Sequence, residues 1–196
     1  MEEEKANLIK SVSDLLDNED VVGAGNLINE KYKFNPISRS NRGHTRLQLT
    51  RTFLFDGAID RYTQKRLVYT PALRILSKRL GPDIMPYHPN WKMDACHVAY
   101  WDLAPTLDHV IPIARGGENT LNNWVCCSQI TNSRKAWATL DELGEPIKPQ
   151  GDLREWDGLV DWFIKYYDNH SDLASDLYFS KWYQAAKSAK KVMTQL

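Results

Sequence analysis

The run from Pro105 to Pro112 constrains the fold of this chain more than any other segment. Its centre, Leu107-Asp-His-Val-Ile111, is apolar except for one acidic residue and one imidazole, and a proline stands at each end. Because proline cannot donate to a sheet ladder, a run bounded in this way predicts a short strand or the end of one. A polar pair at the centre of such a strand needs partners, so the run also indicates a site.

The residues that follow this run predict three more elements. Gly116 and Gly117 supply a tight reversal, Trp124-Val125 predicts a second short strand, and residues 128–138 have the composition of a helix. The expected order is therefore strand, loop, strand, helix. Asn132 and Lys135 are three residues apart, so they share one face of that helix, and this face can look back at the first strand.

The residue types in this unit fit metal-assisted hydrolysis. The carboxylate of Asp108 and the carboxamide of Asn132 offer hard oxygen ligands, which suit Mg²⁺ or Mn²⁺ and leave positions for water and a substrate phosphate. An imidazole such as that of His109 ordinarily has a pKa of about 6.5 and can take a proton from water near neutral pH. Neighbouring residues of a flat strand point to opposite faces, so the strand must bend or end here for both side chains to serve one site.

Residues 105–136 resemble the HNH branch of the ββα-metal nucleases. In that family an Asp-His pair ends the first strand, an Asn follows about fourteen residues later, and an Asn or His follows about nine residues further on, on the helix. His109, Asn123 and Asn132 stand at these spacings. The resemblance implies an HNH core made of a short two-stranded hairpin and a helix. With the N- and C-terminal helices that the apolar pattern predicts, we expect a mostly helical α+β fold.

The resemblance also implies a role for each residue. His109 would be the general base, and Asn123 would brace the loop and orient that base. Asp108 and Asn132 would bind one divalent cation, Mg²⁺ or Mn²⁺. The cationic side chains expected to contact phosphate or transition-state charge are Arg115, Arg134 and Lys135.

The cysteines do not match the structural zinc site that many HNH proteins carry. Ser128 and Thr131 occupy its later two positions, and Cys96 lacks a second cysteine at the usual spacing. Cys126 and Cys127 are adjacent and are poorly placed to chelate one tetrahedral zinc. We therefore expect no structural zinc and predict three reduced cysteines that pack as small buried hydrophobic residues.

Segments outside the core look like a zinc-free bacterial group of HNH proteins of poorly known function. Residues 60–67, 85–101 and 136–144 carry this likeness and extend the resemblance to about residues 55–165. His88 and His97 fall in the second of these segments and could line the same site. An imidazole in an aromatic segment is, however, more often a packing residue.

Charge is arranged in blocks along the chain although the net charge is zero. Residues 31–79 carry twelve Lys or Arg against two Asp, whereas residues 1–20 hold seven acids against two lysines and residues 139–178 hold ten acids against three bases. Because counterion release depends on the cations that touch phosphates, the basic block predicts a DNA-binding surface. The alternative is that these cations only solvate helix faces. The candidate contact residues in the block are Arg39, Arg42, Arg46 and Arg51.

Apolar periodicity, caps and breakers predict helices on both sides of the core. The helices are expected over residues 7–16, 21–32, 70–80, 157–167 and 173–194, with a short capped helix at 139–144. The polar residues 35–51 are expected to form a loop that leads into a short element. We expect one compact unit over 1–196, with N-terminal helices in 1–34, a basic segment in 35–84, the catalytic core in 85–144 and a C-terminal helical region in 145–196.

These features favour one class of function and leave others open. No apolar run could span a bilayer and residues 1–5 lack the features of a secretory signal, so we expect a soluble cytoplasmic protein without a membrane partner. We predict a metal-dependent endonuclease that hydrolyses DNA, with duplex DNA as the expected partner and restriction or phage defence as the expected role. One alternative is a ββα module that only binds nucleic acid or protein. Another is a helical protein whose core uses these polar residues for hydrogen bonds. Dimerisation is left open.

Overall fold

A computed structural model describes residues 2–33, 43–144 and 146–193 of the chain. It is about 54% helical and has a two-stranded antiparallel hairpin, which confirms the mostly helical α+β class. The elements of the described residues are α1 Glu2–Asp17, α2 Val21–Lys31, α3 Arg46–Phe55, α4 Thr70–Leu80, α5 Ala99–Asp102, β1 Pro105–His109, β2 Trp124–Ser128, α6 Gln129–Lys135, α7 Leu140–Leu143, α8 Val160–Asp168, α9 Ser171–Ala174 and α10 Leu177–Met193. None of the helices in these ranges is long and apolar enough to cross a membrane.

The chain forms two compact units, Met1–Asn41 and Arg42–Leu196, where one unit was expected. In the smaller unit α1 and α2 pack against each other, and the carboxylate of Asp20 caps α2 by accepting from the Gly23 amide at 2.8 Å. Large apolar side chains on these helices, such as Val21 and Val22, are exposed. Two helices of this length can bury only a small core of their own.

The larger unit is built around aromatic side chains. Tyr69 is buried and stacks on Phe53 with ring centroids 6.0 Å apart, and the rings of Phe163 and Trp182 meet it edge-on at 5.4 and 5.7 Å. These residues come from α3, α8, α10 and the turn before α4, so one cluster joins the long helices of the unit. Such aromatic pairs add stability beyond the area that they bury.

Helix α3 begins earlier than the sequence analysis predicts. Thr45 and Gln48 form a capping box, in which the Gln48 side chain accepts from the Thr45 amide at 2.8 Å and the Thr45 hydroxyl accepts from the Gln48 amide. The loop expected up to Arg51 is therefore wrong from Arg46 onward. The capping box was not recognised because no clear apolar period follows it, and the buried face of α3 includes threonines.

The other predicted helices are confirmed, with small shifts at their ends. Helix α4 occupies residues 70–80 as predicted, and Tyr69 is its N-cap residue. Helix α7 has the predicted capping box. The helix expected over 157–167 starts at Val160, after Leu159 adopts a left-handed conformation, and the one expected over 173–194 is divided into α9 and α10.

The predicted order of strand, loop, strand and helix is confirmed between Pro105 and Lys135. In the antiparallel hairpin Asp108 pairs with Val125 and His109 pairs with Trp124. Helix α6 follows β2 directly, since the hydroxyl of Ser128 accepts from the Thr131 amide and caps the helix.

Two buried carboxylates cover the outer edge of β2. Asp56 accepts from the Cys126 amide at 2.6 Å, Asp60 accepts from the Ser128 amide at 2.9 Å, and the Arg61 amide donates to the Cys126 carbonyl. Burial raises the pKa of Asp56, while the Cys126 amide and an ion pair with Arg61 oppose that rise. Residues 56–61 thus hold β2 as a third strand would, and they fix the hairpin in the larger unit.

Candidate active site

The side chain of Asn123 closes the loop between the two strands. It is buried, its Oδ1 accepts from the Ile111 amide at 2.8 Å, and its Nδ2 donates to the carbonyls of Ile111 and Glu118 at 2.9 and 2.8 Å. Gly117 has no room for a side chain, because a Cβ there would lie 1.8 Å from the Ile111 carbonyl oxygen. Asn123 therefore braces the loop between the two strands.

Different residues hold the imidazole of His109. Its Nε2 lies 2.9 Å from Oδ1 of Asn119, and the indole Nε1 of Trp124 lies 3.2 Å from the same Nε2 and 3.1 Å from the same Oδ1. The side chains next to the His109 ring are thus Asn119 and Trp124 rather than Asn123. The register of the predicted hairpin could have identified Trp124, because it lies directly across from His109.

A second imidazole, that of His44, packs at this site. Its ring centroid is 5.6 Å from that of His109 and 4.8 Å from that of Trp124, which it meets edge-on. Burial lowers the pKa of His44, and the nearby His109 lowers it further. His44 precedes the cap of α3, so it comes from outside the hairpin and helix, and no local motif marks it.

His88 and His97, which were expected as possible lining residues, have local contacts instead. Nδ1 of His88 accepts from the Asn90 amide at 3.1 Å, and Nδ1 of His97 accepts from the Ala99 amide at 3.2 Å. In the described part of the chain neither ring is among the groups that contact His109. Both imidazoles cap turns, so their ring nitrogens bind neighbouring amides and not groups of the His109 site.

Asp108 lies in a buried polar cluster with Tyr62 and Lys135. Its Oδ2 accepts from the Tyr62 hydroxyl at 2.6 Å and pairs with the Lys135 ammonium at 3.0 Å, and that ammonium also donates to the His109 carbonyl at 2.9 Å. Burial, and then the negative charge of Asp108, raise the pKa of Tyr62. The sequence analysis missed Tyr62, because it is distant along the chain and in no recognised motif.

Lys135, which was predicted to contact phosphate or transition-state charge, points inward in this structure. Lys135 is 3% exposed and Asp108 is 7% exposed, so the ammonium is enclosed and paired. The buried carboxylate of Asp108 would cost several kcal/mol without a counter-charge. Its need for a partner explains why the ammonium of Lys135 turns inward. The expectation that this face of α6 looks back at β1 is confirmed by the same contacts.

Asp108 and His109 have different neighbours although they are adjacent in sequence. Strand β1 ends at His109, as the sequence analysis required. Asp108 meets α6 and Tyr62, whereas His109 meets Asn119, Trp124 and His44. The two side chains therefore leave the end of β1 in different surroundings, and the described contacts include none between them.

Two residues of the motif, Asp108 and Asn132, were predicted as ligands of a divalent cation. Among the described residues, no group of three or more His, Cys, Asp or Glu could hold a metal ion. Asn132 lies one turn before Lys135 on α6 and is half-buried, so Asp108 and Asn132 offer one carboxylate and one amide oxygen. Such a set suits Mg²⁺ or Mn²⁺, which take their remaining ligands from water and phosphate, and it does not suit zinc.

The predicted phosphate-binding arginines are spread over several elements. Arg39 and Arg42 lie outside the described residues. Arg46 is exposed on α3, and Arg51, on the same helix, lines a cavity of about 280 Å³ with Phe55 and Trp124. The other two are on the surface: Arg115 pairs with Glu142 at 2.9 Å, and Arg134 is exposed on α6.

The cysteines pack as predicted. Cys96, Cys126 and Cys127 are buried free thiols, and burial raises the pKa of Cys126 and Cys127 well above the ordinary value. On β2 these two thiols occupy consecutive positions of the strand, which places them on opposite faces of the hairpin.

Comparisons with protein-family models, with curated proteins and with solved structures found no match to this chain. The fold itself is that of an α+β protein in which a hairpin and helix carry a cluster of polar side chains. A function has to be argued from these side chains alone.

Proposed function

We propose that this chain is a metal-dependent endonuclease of the HNH type that hydrolyses phosphodiester bonds of DNA. The observation that carries the proposal is the placement of the three motif residues within one hairpin and helix. His109 ends β1, Asn123 ties down the intervening loop with three hydrogen bonds, and Asn132 lies on the helix that faces β1. The spacings read from the sequence thus correspond to a local three-dimensional unit.

His109 is the general base in this proposal. Its Nε2 lies against Oδ1 of Asn119, which is also next to the indole N–H of Trp124, so the ring has a fixed orientation for removing a proton from the attacking water. The water oxygen forms the new bond to phosphorus as the bond to the leaving oxygen breaks. The proton-transfer contribution of such a base is about 10²- to 10⁴-fold in rate.

Asp108 and Asn132 are the candidate ligands of the divalent cation. When bound, this cation supplies charge stabilisation at the phosphate and the leaving oxygen. In the free protein the Lys135 ammonium and the Tyr62 hydroxyl hold the carboxylate of Asp108 in place and offset the cost of its burial. A phosphodiester bound across the end of β1 would meet both Asp108 and His109.

Helix α3 lies within the basic segment and packs against the hairpin that carries the site. His44 lies against His109, and Arg46 and Arg51 follow it on α3. Cations on this helix would contact the DNA backbone and give most of the affinity through counterion release. A nuclease with such a surface and a small catalytic unit suits restriction or phage defence.

The test is cleavage of supercoiled plasmid by the purified chain. We expect cutting with Mg²⁺ or Mn²⁺, none with chelator, and a loss of about 10²- to 10⁴-fold in His109→Ala. His97→Ala serves as the matched control, since His97 caps a turn elsewhere. Metal-dependent cutting that survives His109→Ala would overturn the role of the base.

One observation favours a second candidate, a module that binds DNA without cutting it. Lys135 already pairs with Oδ2 of Asp108, so the position of a cation beside that oxygen is occupied by an ammonium. A binding module would hold DNA equally well with and without a divalent cation. It would also cut neither plasmid nor single-stranded DNA under any metal condition.

A further inference from the structure

We propose that Asn119 is a positioning residue that fixes the proton of the neutral His109 ring on Nε2 and leaves Nδ1 as the basic nitrogen. Which nitrogen of an imidazole is protonated is set by the hydrogen bond that the other makes. The consequence for water activation rests on the proposed nuclease function. The protonation pattern itself is a property of the protein without DNA or metal.

Three polar atoms form a triangle at this point. The sides are 2.9 Å from Nε2 of His109 to Oδ1 of Asn119, 3.1 Å from that Oδ1 to Nε1 of Trp124, and 3.2 Å from Nε1 of Trp124 to Nε2 of His109. Indole N–H can only donate. At most two of the three sides can therefore be hydrogen bonds, and the third side brings two donors or two acceptors together. The possible arrangements differ in which two groups face each other on that third side.

The arrangement with Oδ1 as the common acceptor is the best of the three possible ones. The carboxamide oxygen has two lone pairs, so it can accept from Nε2–H of His109 and from Nε1–H of Trp124 at once. The two donors are then left facing each other across the longest side, 3.2 Å. Both hydrogen bonds lie at ordinary lengths.

The other two arrangements are worse for identifiable reasons. If Nε2 of His109 had no proton, its lone pair would face Oδ1 of Asn119 across the shortest side, 2.9 Å. If the amide of Asn119 were also flipped, its NH₂ group and the indole N–H of Trp124 would both donate to the one lone pair of Nε2. These two donors would then face each other at 3.1 Å.

The loop holds Asn119 where this role requires it. Asn123 fixes the preceding carbonyl, that of Glu118, and Gly117 packs against Ile111 without space for a side chain. After His109 has taken a proton at Nδ1, the bond from Nε2–H to Asn119 is unchanged. No reorganisation of the ring is needed during the step, which is the condition for an efficient base.

Nitrogen NMR of ¹⁵N-histidine-labelled protein tests this assignment directly. In the neutral ring of His109 we expect a protonated Nε2 and an unprotonated Nδ1, read at a pH high enough that no signal of the doubly protonated ring remains. The signal is assigned among the five histidines by its loss in His109→Gln. A wild-type ring protonated on Nδ1 would overturn the proposal.

Two variants separate the role of Asn119 from a merely structural one. In Asn119→Leu the indole N–H of Trp124 is free to donate to Nε2, so the major form should change to Nδ1–H. Asn119→Asp keeps an acceptor and should keep Nε2–H, and Asn122→Ala is the matched control on an exposed neighbour. An unchanged ring in Asn119→Leu, with the fold intact by amide NMR, would contradict the proposal.

Cleavage kinetics distinguish this proposal from that of the nuclease. Asn119→Leu should lower kcat about 10²-fold with little change in KM, and Asn119→Asp should restore part of it. If the wild-type ring is protonated on Nε2 but the protein cuts no DNA, the proposed nuclease function is wrong and the role of Asn119 stands. If the protein cuts DNA but Asn119→Leu does not change which nitrogen of the His109 ring is protonated, the positioning role is wrong and the nuclease function stands.

Discussion

Asp108 and Lys135 are two charged residues inside a protein core, and their burial has an energetic consequence. Both are less than 10% exposed, and their contact at 3.0 Å is supported by the Tyr62 hydroxyl. A pair of this kind adds little net stability when compared with apolar residues, but removing one partner leaves an uncompensated charge. The free protein therefore depends on Lys135 to hold its candidate metal ligand.

Substitution of Lys135→Met should lower the free energy of unfolding by about 3 to 5 kcal/mol, because Asp108 then loses its counter-charge. Urea denaturation monitored by circular dichroism measures the change, with the exposed Lys165→Met as control. Mn²⁺ should recover part of the loss, since a cation at Asp108 replaces the ammonium. A loss below about 1 kcal/mol would show that the pair is screened or rearranged.

The residues of the site differ in how far the sequence could identify them. Asp108, His109, Asn123 and Asn132 lie within one short segment, so their spacing predicts one unit. His44 and Tyr62 enter from other parts of the chain, and only the packing of α3 and of the loop after Asp60 brings them to the hairpin. No pattern in a single sequence encodes such long-range contacts.

The loop between β1 and β2 is the element that links fold and site. Gly116 and Gly117 were both expected to serve a tight reversal, but the structure separates their roles. Gly116 has a left-handed φ of +86° with open space around it, whereas Gly117 packs against the Ile111 carbonyl and the Asn123 side chain. One glycine is required for backbone conformation and the other for space.

Alanine at each glycine should therefore have a different cost. Gly116→Ala should lose about 1 to 2 kcal/mol of stability from left-handed strain alone. Gly117→Ala should lose more and should speed hydrogen exchange at the Ile111 amide, because its Cβ displaces the carbonyl and the Asn123 bridge. Equal losses in the two variants, or protection of Ile111 in Gly117→Ala, would contradict this account of the loop.

The edge of β2 shows what sequence patterns leave out at the scale of elements. Asp56 and Asp60 are the two acids of the basic block, and nothing in the sequence distinguishes them from surface acids. In the structure both are buried and accept backbone amides of β2. The short hairpin is stable because side chains substitute for a neighbouring strand, a relation that no local period predicts.

For the molecule as a whole, periodicity predicted most helices and the hairpin, but not the division into two units. The predicted helix ends were approximate because side-chain contacts with the backbone, such as those of Asp157 with the Leu159 amide and of Thr45 with the Gln48 amide, compete with apolar spacing. The aromatic core around Tyr69 was not predicted, since its rings come from distant helices. Local patterns therefore gave the elements, and tertiary packing decided their arrangement.

Buried tyrosines should make the larger unit sensitive to alkali. Burial raises the pKa of four of them, Tyr62, Tyr69, Tyr100 and Tyr178, and for Tyr100 to about 12. Because the folded pKa exceeds the unfolded value of about 10, their contribution to stability is complete below pH 10 and is lost as pH rises through the folded pKa. Phenolate absorbance and circular dichroism should thus change together at high pH. Ionisation of all nine tyrosines before any unfolding would contradict these burial effects.

DNA affinity of the whole chain should depend on the cations of α3. Arg46→Ala and Arg51→Ala should each weaken binding and lower the slope of log affinity against log salt by about 1 if each contacts a phosphate. Arg154→Ala is the control, since Arg154 is paired with Asp152 on the surface. The measurement is fluorescence anisotropy of a labelled duplex over a salt series. Unchanged slopes would assign these arginines to solvation of the helix.

The most direct test of the proposed site is a crystal structure of His109→Ala with a DNA duplex and Mn²⁺. The account predicts anomalous density for one ion bound by Asp108 and Asn132, at about 2.2 Å from their oxygens, and a backbone phosphate on the same ion beside position 109. Density elsewhere, or an intact ion pair between Asp108 and Lys135 without an ion at saturating Mn²⁺, would contradict it.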